Sequence, residues 1–184
     1  MTEPEPATDP AQDPDADPEA AARAIVLRQL AMAARTRHQL RETLRKRETP
    51  PEVAEHVLDR MQAVGLINDE AFAAEYVAQR RSSRGSGRRA LAQELGRKGV
   101  PAELIDQVLE DIDADDERGV ASDLVRRKWR SVSGLEPTAR RRRLASMLGR
   151  RGYPAGLVYE VIRTVEGEQG LEQIEVSDFS AVSD

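Results

Sequence analysis

Apolar residues recur along this chain at helical spacing, in groups divided by polar breaks, and the same groups return at a nearly constant distance. Leu40, Leu44, Pro50, Glu52, Val53, Val57 and Leu58 reappear fifty-one residues on as Leu91, Leu95, Pro101, Glu103, Leu104, Val108 and Leu109. Leu144, Leu148, Pro154, Leu157, Val161 and Ile162 follow a further fifty-three residues along. A repeat of this length marks one supersecondary unit stacked on copies of itself. Each copy reads as helix, short turn, helix, Gly-x-Pro, helix. The pattern predicts an all-α chain of three tandem three-helix repeats over residues 20–66, 67–113 and 114–166.

Local signals place the nine helices. In the first repeat, residues 20–34 form an alanine-rich helix presenting Ile25, Leu27, Leu30 and Met32. Thr36 followed by Gln39 reads as a capping box for the second helix. Thr49-Pro50-Pro51-Glu52 reads as an N-cap Thr, a Pro at the first helical position and a Glu at the third. Val53, Val57, Leu58 and Met61 then share one face, and Gly65 is a C-terminal stop.

In the second repeat, Asn68 and Asp69 are caps for a helix carrying Phe72, Tyr76 and Val77. A turn is expected over residues 82–87. In the third, Asp115 or Asp116 caps a helix with Val120, Leu124 and Val125. A longer loop over residues 131–136 precedes Pro137, and Gly152 and Pro154 repeat the punctuation of Gly99 and Pro101. Phe72, Tyr76 and Trp129 sit among apolar neighbours at helical spacing and are assigned to the core. Tyr153, aligned with Val100, is assigned to packing at the start of the last helix. Three helices in this order resemble the helix-turn-helix module.

Charge changes the picture, because the net charge of −5 hides a segregation. Residues 1–19 hold seven acids and no base, and residues 164–184 hold six acids and no base. The body between them carries all 28 Lys and Arg against 20 acids, a net of +8. Such a body is matched to an anionic partner, nucleic acid or an acidic protein surface. The two ends, 1–19 and 167–184, have little to bury and are expected to be disordered acidic tails. With aromatics at 3% of residues, a base-stacking platform is not expected.

Catalytic chemistry has no foothold. The chain has no cysteine, so disulfides and thiolate metal sites are excluded. His38 and His56 fall on different helices without a converging carboxylate or nucleophile, and His38 is assigned to the surface. The glycines around Arg84 to Arg88 and Gly96 to Gly99 lack the spacing and preceding strand of a phosphate loop. The acids between Glu110 and Glu117 lack the glycine and closing Glu of a calcium loop. No enzyme activity, cofactor or metal is expected. No apolar run reaches the length of a membrane span and the N-terminus is acidic where a signal peptide is basic, so a cytoplasmic protein is expected.

What remains is a basic surface. With 100° per residue, Leu144, Ala145 and Leu148 define the buried side of the middle helix of repeat three, which leaves Arg142, Arg143 and Arg150 together on the opposite side. Their counterparts in repeat two are Arg89, Ala90 and Arg97, and in repeat one His38, Gln39 and Lys46. Arg126, Arg127 and Lys128 add charge to repeat three. A solvated helix face accounts for most charged positions. Four consecutive arginines, Arg140 to Arg143, with only Glu136 close in sequence, repel one another unless an anion neutralises them.

Several of these stretches resemble a known family. Leu66-Ile67-Asn68-Asp69-Glu70-Ala71-Phe72-Ala73, Tyr76-Val77 and Arg80, with Leu91, Glu94-Leu95 and Lys98-Gly99-Val100, are similar to the middle repeat of the RecX regulatory proteins. Arg35-Thr36-Arg37 and Leu40 resemble that family's opening stretch. Lys128-Trp129-Arg130 and Leu148-Gly149-Arg150-Arg151-Gly152-Tyr153 resemble its closing one. The likeness spans roughly residues 23–163. It implies an elongated, curved rod of three-helix repeats that lies in the groove of the RecA–DNA filament and modulates, usually inhibits, the recombinase. The expected contacts are Arg142, Arg143 and Arg150, then Arg89 and Arg97, with Arg126, Arg127 and Lys128 in support. Phosphate-mediated contact with DNA and a monomeric state go with this reading. A direct DNA-binding regulator of helix-turn-helix type is the alternative. It requires a recognition helix aimed at base edges, whereas the middle helices offer chiefly arginine.

Overall fold

A computed structural model of the chain describes residues 17–181, with side chains through residue 170. The acidic N-terminal tail expected over residues 1–19 lies outside the described residues up to residue 16. Nine α-helices and no strand occur among the described residues. They are α1 (Pro18–Met32), α2 (Arg37–Lys46), α3 (Pro51–Ala63), α4 (Asp69–Arg84), α5 (Arg88–Arg97), α6 (Ala102–Glu110), α7 (Ala114–Trp129), α8 (Pro137–Arg150) and α9 (Ala155–Ala181). The chain divides into two compact units, Met1–Glu75 with Leu95–Ile105, and Tyr76–Glu94 with Asp106–Asp184.

In the first unit α1, α2 and α3 close around Ala22, Ile25, Val26, Leu40, Leu44, Ala54, Val57, Leu58, Met61 and Ile67. Burying each large aliphatic side chain contributes about 1.5–3 kcal/mol. Asp17 caps α1 by accepting from the Glu19 N–H at 3.0 Å. The inward face of α1 is set by Ala22, Ile25 and Val26 at i, i+3, i+4. Leu27 and Met32, also apolar, therefore fall outside it, 43% and 73% exposed. The capping box at Thr36 forms in full, with Gln39 N–H to Thr36 Oγ1 and Thr36 N–H to Gln39 Oε1, each 3.2 Å.

Thr49 does not cap α3; Pro50 holds that position without a side-chain bond. The Thr49 N–H is spent on closing α2, donating to Leu44 O at 3.2 Å beside Glu48 at φ +59°. Gly99 and Gly152 end α5 and α8 in the same way, at φ +77° and +86°. Val100 N–H reaches Leu95 O there, and Tyr153 N–H reaches Leu148 O. This left-handed closure turns the chain sharply into Pro50, Pro101 and Pro154.

In the second unit α7, α8 and α9 close around Ala121, Leu124, Val125, Trp129, Val132, Leu144, Leu148, Tyr153, Val158, Val161, Ile162 and Val165. Asp113, rather than Asp115 or Asp116, caps α7, accepting from the Asp116 N–H at 2.7 Å. The later acids are engaged elsewhere, Asp116 with Arg81 and Asp115 with Arg118. α4 runs through Ser82 and Ser83, whose hydroxyls donate back to Gln79 O. The turn expected over residues 82–87 is thus confined to 85–87. The boundary placed at residue 167 falls inside α9, which continues to Ala181. An ion pair between Arg126 and Glu168, 2.9 Å, fastens that extension to α7.

One junction is built twice, once within each unit. In the first unit, Thr36 Oγ1 donates to Lys98 O at 2.6 Å and Arg37 N–H donates to Asp69 Oδ1 at 2.8 Å. In the second, Gly87 N–H donates to Arg151 O at 2.8 Å and Arg88 N–H donates to Glu117 Oε1 at 2.7 Å. The N–H groups of Arg37, Gly87 and Arg88 that open a middle helix, and the Thr36 hydroxyl, are thereby satisfied by the following repeat, a carboxylate meeting the positive end of the helix dipole in each unit. Gly99 lies against His38 and Gly152 against Ala90, so closely that a Cβ at either glycine would overlap its neighbour. Tyr153 is 4% exposed, and its hydroxyl donates to Gly85 O at 3.0 Å. Burial pushes its phenol up to about 12. Its role is therefore this repeat-to-repeat hydrogen bond as well as packing.

Candidate functional site

The site is built on α8. Leu144 and Leu148, both fully buried, pin one side of the helix into the core. Arg142, Arg143 and Arg150 are accordingly exposed on the other side. Together with Leu135, Ala139 and Ser146 they line a cleft of about 520 Å³. Arg150 donates to Ser146 Oγ one turn back. Neither Arg142 nor Arg143 has a carboxylate partner among the described residues. Three guanidiniums around one open cleft are the donor chemistry that phosphate or carboxylate oxygens require.

The run of four arginines is split by the fold. Arg140 Nε and Arg141 Nε donate to the two oxygens of Glu166 on α9, at 3.4 and 2.7 Å. The Arg140 guanidinium also covers Trp129, 4.7 Å from the ring centroid, and Trp129 is buried as expected. Glu166, distant in sequence, supplies the anion that the local sequence lacks. Arg140 and Arg141 thus share one internal carboxylate, and Arg142 and Arg143 have none among the described residues.

The remaining candidates fare differently. Arg126 is turned to Glu168 and Asp123, at 2.9 and 3.2 Å. The hydrogen bond from Arg126 lowers the Glu168 carboxyl, and the pairing raises the guanidinium. Arg127 is exposed and Lys128 half-buried, and neither lines the cleft. Arg89 is exposed in the second unit and Arg97 is exposed in the first.

Among the aromatics assigned to the core, Phe72 and Tyr76 are only half-buried. Tyr76 is tied by its hydroxyl to Glu94 at 2.5 Å and accepts from Arg80 at 2.9 Å. The phenol is raised by burial and by Glu94. His38 is exposed, as expected. His56 is exposed too, 3.7 Å from Glu19. No cluster of metal-ligating side chains occurs among the described residues. No helix among them is long and apolar enough to cross a membrane. Sequence reasoning missed Tyr159, 69% exposed on α9. Its only signal is a large residue off the apolar stripe of Val158, Val161 and Ile162.

Fold and site together define an array of three-helix repeats whose last repeat exposes an arginine cleft, the architecture of a binding protein. Its three parts match, in order, the first RecX three-helix domain over residues 22–61, the second over 68–109 and the third over 115–162. The chain belongs to the RecX family. It is 50% identical over 157 residues to the regulatory protein RecX of Streptomyces coelicolor, covering 85% of this chain and 84% of the relative. It is 44% identical over 151 residues to that of Thermobifida fusca, 82% of each chain. The crystal structure of RecX from Lactobacillus salivarius superposes with a TM-score of 0.74 over 82% of this chain and 98% of the other. At 17% identity that likeness is one of fold. A crystal structure of regulatory protein RecX, 27% identical, gives a TM-score of 0.70 over 81% of this chain and 73% of that one.

Proposed function

We propose that this protein regulates a RecA recombinase by binding the RecA–DNA filament along its groove, as a cytoplasmic monomer acting through contact rather than catalysis. The observation that carries the reading is the set of three guanidiniums, Arg142, Arg143 and Arg150, around one cleft on a member of the RecX family. Phosphates of the filament-bound DNA are the anions that the cleft takes. Arg89, Arg97, Arg127 and Lys128 add long-range attraction. Arg126 is largely occupied by Glu168. Weak contacts repeated along a filament sum to strong association. A regulator lodged in the groove obstructs the second DNA strand and slows ATP turnover, so inhibition is the expected sign.

The test is DNA-dependent ATP hydrolysis by the cognate RecA, titrated with this protein below one copy per RecA. Wild type is compared with Arg142→Glu/Arg143→Glu/Arg150→Glu, and binding to free DNA is measured alongside. Inhibition at substoichiometric ratios, lost in the triple variant, supports the reading. No effect on RecA together with tight, sequence-specific binding to free duplex assigns the protein to direct DNA-binding regulators instead.

A further inference from the structure

The opposite flank of α8 carries a second depression with a different chemistry. It has a volume of about 280 Å³ and is lined by Arg141, Tyr159, Ile162, Arg163 and Glu166. Among the described aromatic residues Tyr159 alone is exposed. Its ring belongs to neither hydrophobic core, so packing does not account for it. Arg163 stands one helical turn further along α9, on the same face. It is exposed and without a carboxylate partner among the described residues. Arg141, 61% exposed, is held in place by Glu166 at 2.7 Å. Buried Ile162 closes the floor. An exposed aromatic ring, two guanidiniums, one of them paired with Glu166, and an apolar floor thus share one depression beside the arginine cleft.

We propose that Tyr159 and Arg163 form a contact for an unpaired nucleotide of single-stranded nucleic acid, the ring stacking on a base and Arg163 meeting the adjoining phosphate. Guanidiniums alone satisfy any polyanion and do not distinguish one strand from two. The ring adds what they lack, because base faces are open in a single strand and covered in a duplex. An acidic polypeptide uses the charges and leaves the ring idle. α8 is the shared wall of the two depressions, with Arg141 lining one and Arg142 and Arg143 the other. This contact requires no recombinase and stands apart from the filament reading.

The experiment is fluorescence anisotropy without RecA, at one low salt for the comparison of affinities and over a series of salt concentrations for the slope. Labelled oligothymidylate, oligouridylate and a duplex of equal length are titrated with wild type, Tyr159→Ala, Tyr159→Phe and Arg163→Ala. Tyr159→Ala is expected to weaken single-strand affinity about tenfold while leaving duplex affinity within about twofold, with Tyr159→Phe like wild type. Arg163→Ala is expected to weaken both and to lower the salt slope by about one. The two oligonucleotides separate DNA from RNA as the source of the strand. Unchanged single-strand affinity in Tyr159→Ala, or an equal loss on strand and duplex, overturns the assignment. So does competition by oligoglutamate that depends on Tyr159, which gives the pocket to an acidic polypeptide. Because the ring is exposed, thermal melts of the Tyr159 variants are expected to match wild type, which keeps a folding defect out of the comparison.

Discussion

Thr36 donates its hydroxyl to the carbonyl of Lys98 at 2.6 Å, while the same oxygen accepts the Gln39 N–H that begins α2. One buried oxygen therefore caps a helix and joins it to the closing turn of α5. Gly87 N–H and Arg151 O make the corresponding connection fifty-one and fifty-three residues further on. A junction at matching positions, made by different donors, explains how similar small repeats, each with a limited core, stabilise their neighbours.

Thr36→Val is expected to cost about 2 kcal/mol, the sum of a lost cap and an unsatisfied buried carbonyl. Thr36→Ser retains both hydrogen bonds and is expected to lose less than half of that. Urea unfolding midpoints check the pair. A larger loss in Thr36→Ser than in Thr36→Val would show that the methyl group, not the hydroxyl, carries the joint.

Gly99 and Glu48 occupy equivalent positions but answer to different constraints. Both are left-handed, yet only Gly99 is pressed against a preceding repeat, at His38. Gly99→Ala is expected to cost about 2–4 kcal/mol, combining backbone strain with overlap. Gly152→Ala, where the neighbour is the Ala90 backbone, is expected to cost at least as much. Glu48→Gly relieves strain and is expected to gain up to about 1 kcal/mol. Thermal melts of the three variants decide this.

Glu55 sets an acid limb. Hydrogen bonds from Arg41 at 2.5 and 2.9 Å, then from Arg37 at 2.7 Å, bring its carboxyl down to about 2. A carboxylate lowered by folding contributes stability above its unfolded pKa, and that contribution fades as pH falls through the folded value. The window runs from about 4.5 to about 2. With 42% of the side chain exposed, Glu55→Gln is expected to cost only about 1 kcal/mol at pH 7. The difference from wild type should shrink toward zero by pH 2, measured as urea midpoints across that range.

Adjacent arginines are expected to separate by assay. Arg142→Ala/Arg143→Ala lowers the slope of log affinity for a DNA duplex against log salt by about 1–2, with stability unchanged. Arg140→Ala leaves that slope in place and costs about 1 kcal/mol, since it removes the cover over Trp129 and a bond to Glu166. Salt titrations and melts of the same proteins read both quantities. A slope change in Arg140→Ala as large as in the pair would show that the run acts as one undivided charge.

The repeat, the helices and the buried leucines at 40, 44, 91, 95, 144 and 148 were legible in the sequence because they rest on local periodicity. The capping box at Thr36 and the stop at Gly65 were legible for the same reason, each involving groups within a few residues of one another. The family resemblance was carried by contiguous stretches and needed no coordinates. Tertiary structure decided the rest. Whether an arginine is free or paired depends on a carboxylate twenty-five or more residues away, as Glu166 is from Arg140 and Arg141. Whether a glycine is a helix stop or a contact depends on which repeat precedes it, as Gly99 and Glu48 differ. Tyr159 looks like any residue beside an apolar stripe until the packing of α9 leaves its ring uncovered. Local spacing fixes which face of a helix is buried; only the meeting of distant segments fixes which exposed charges stay unsatisfied, and those define the candidate site.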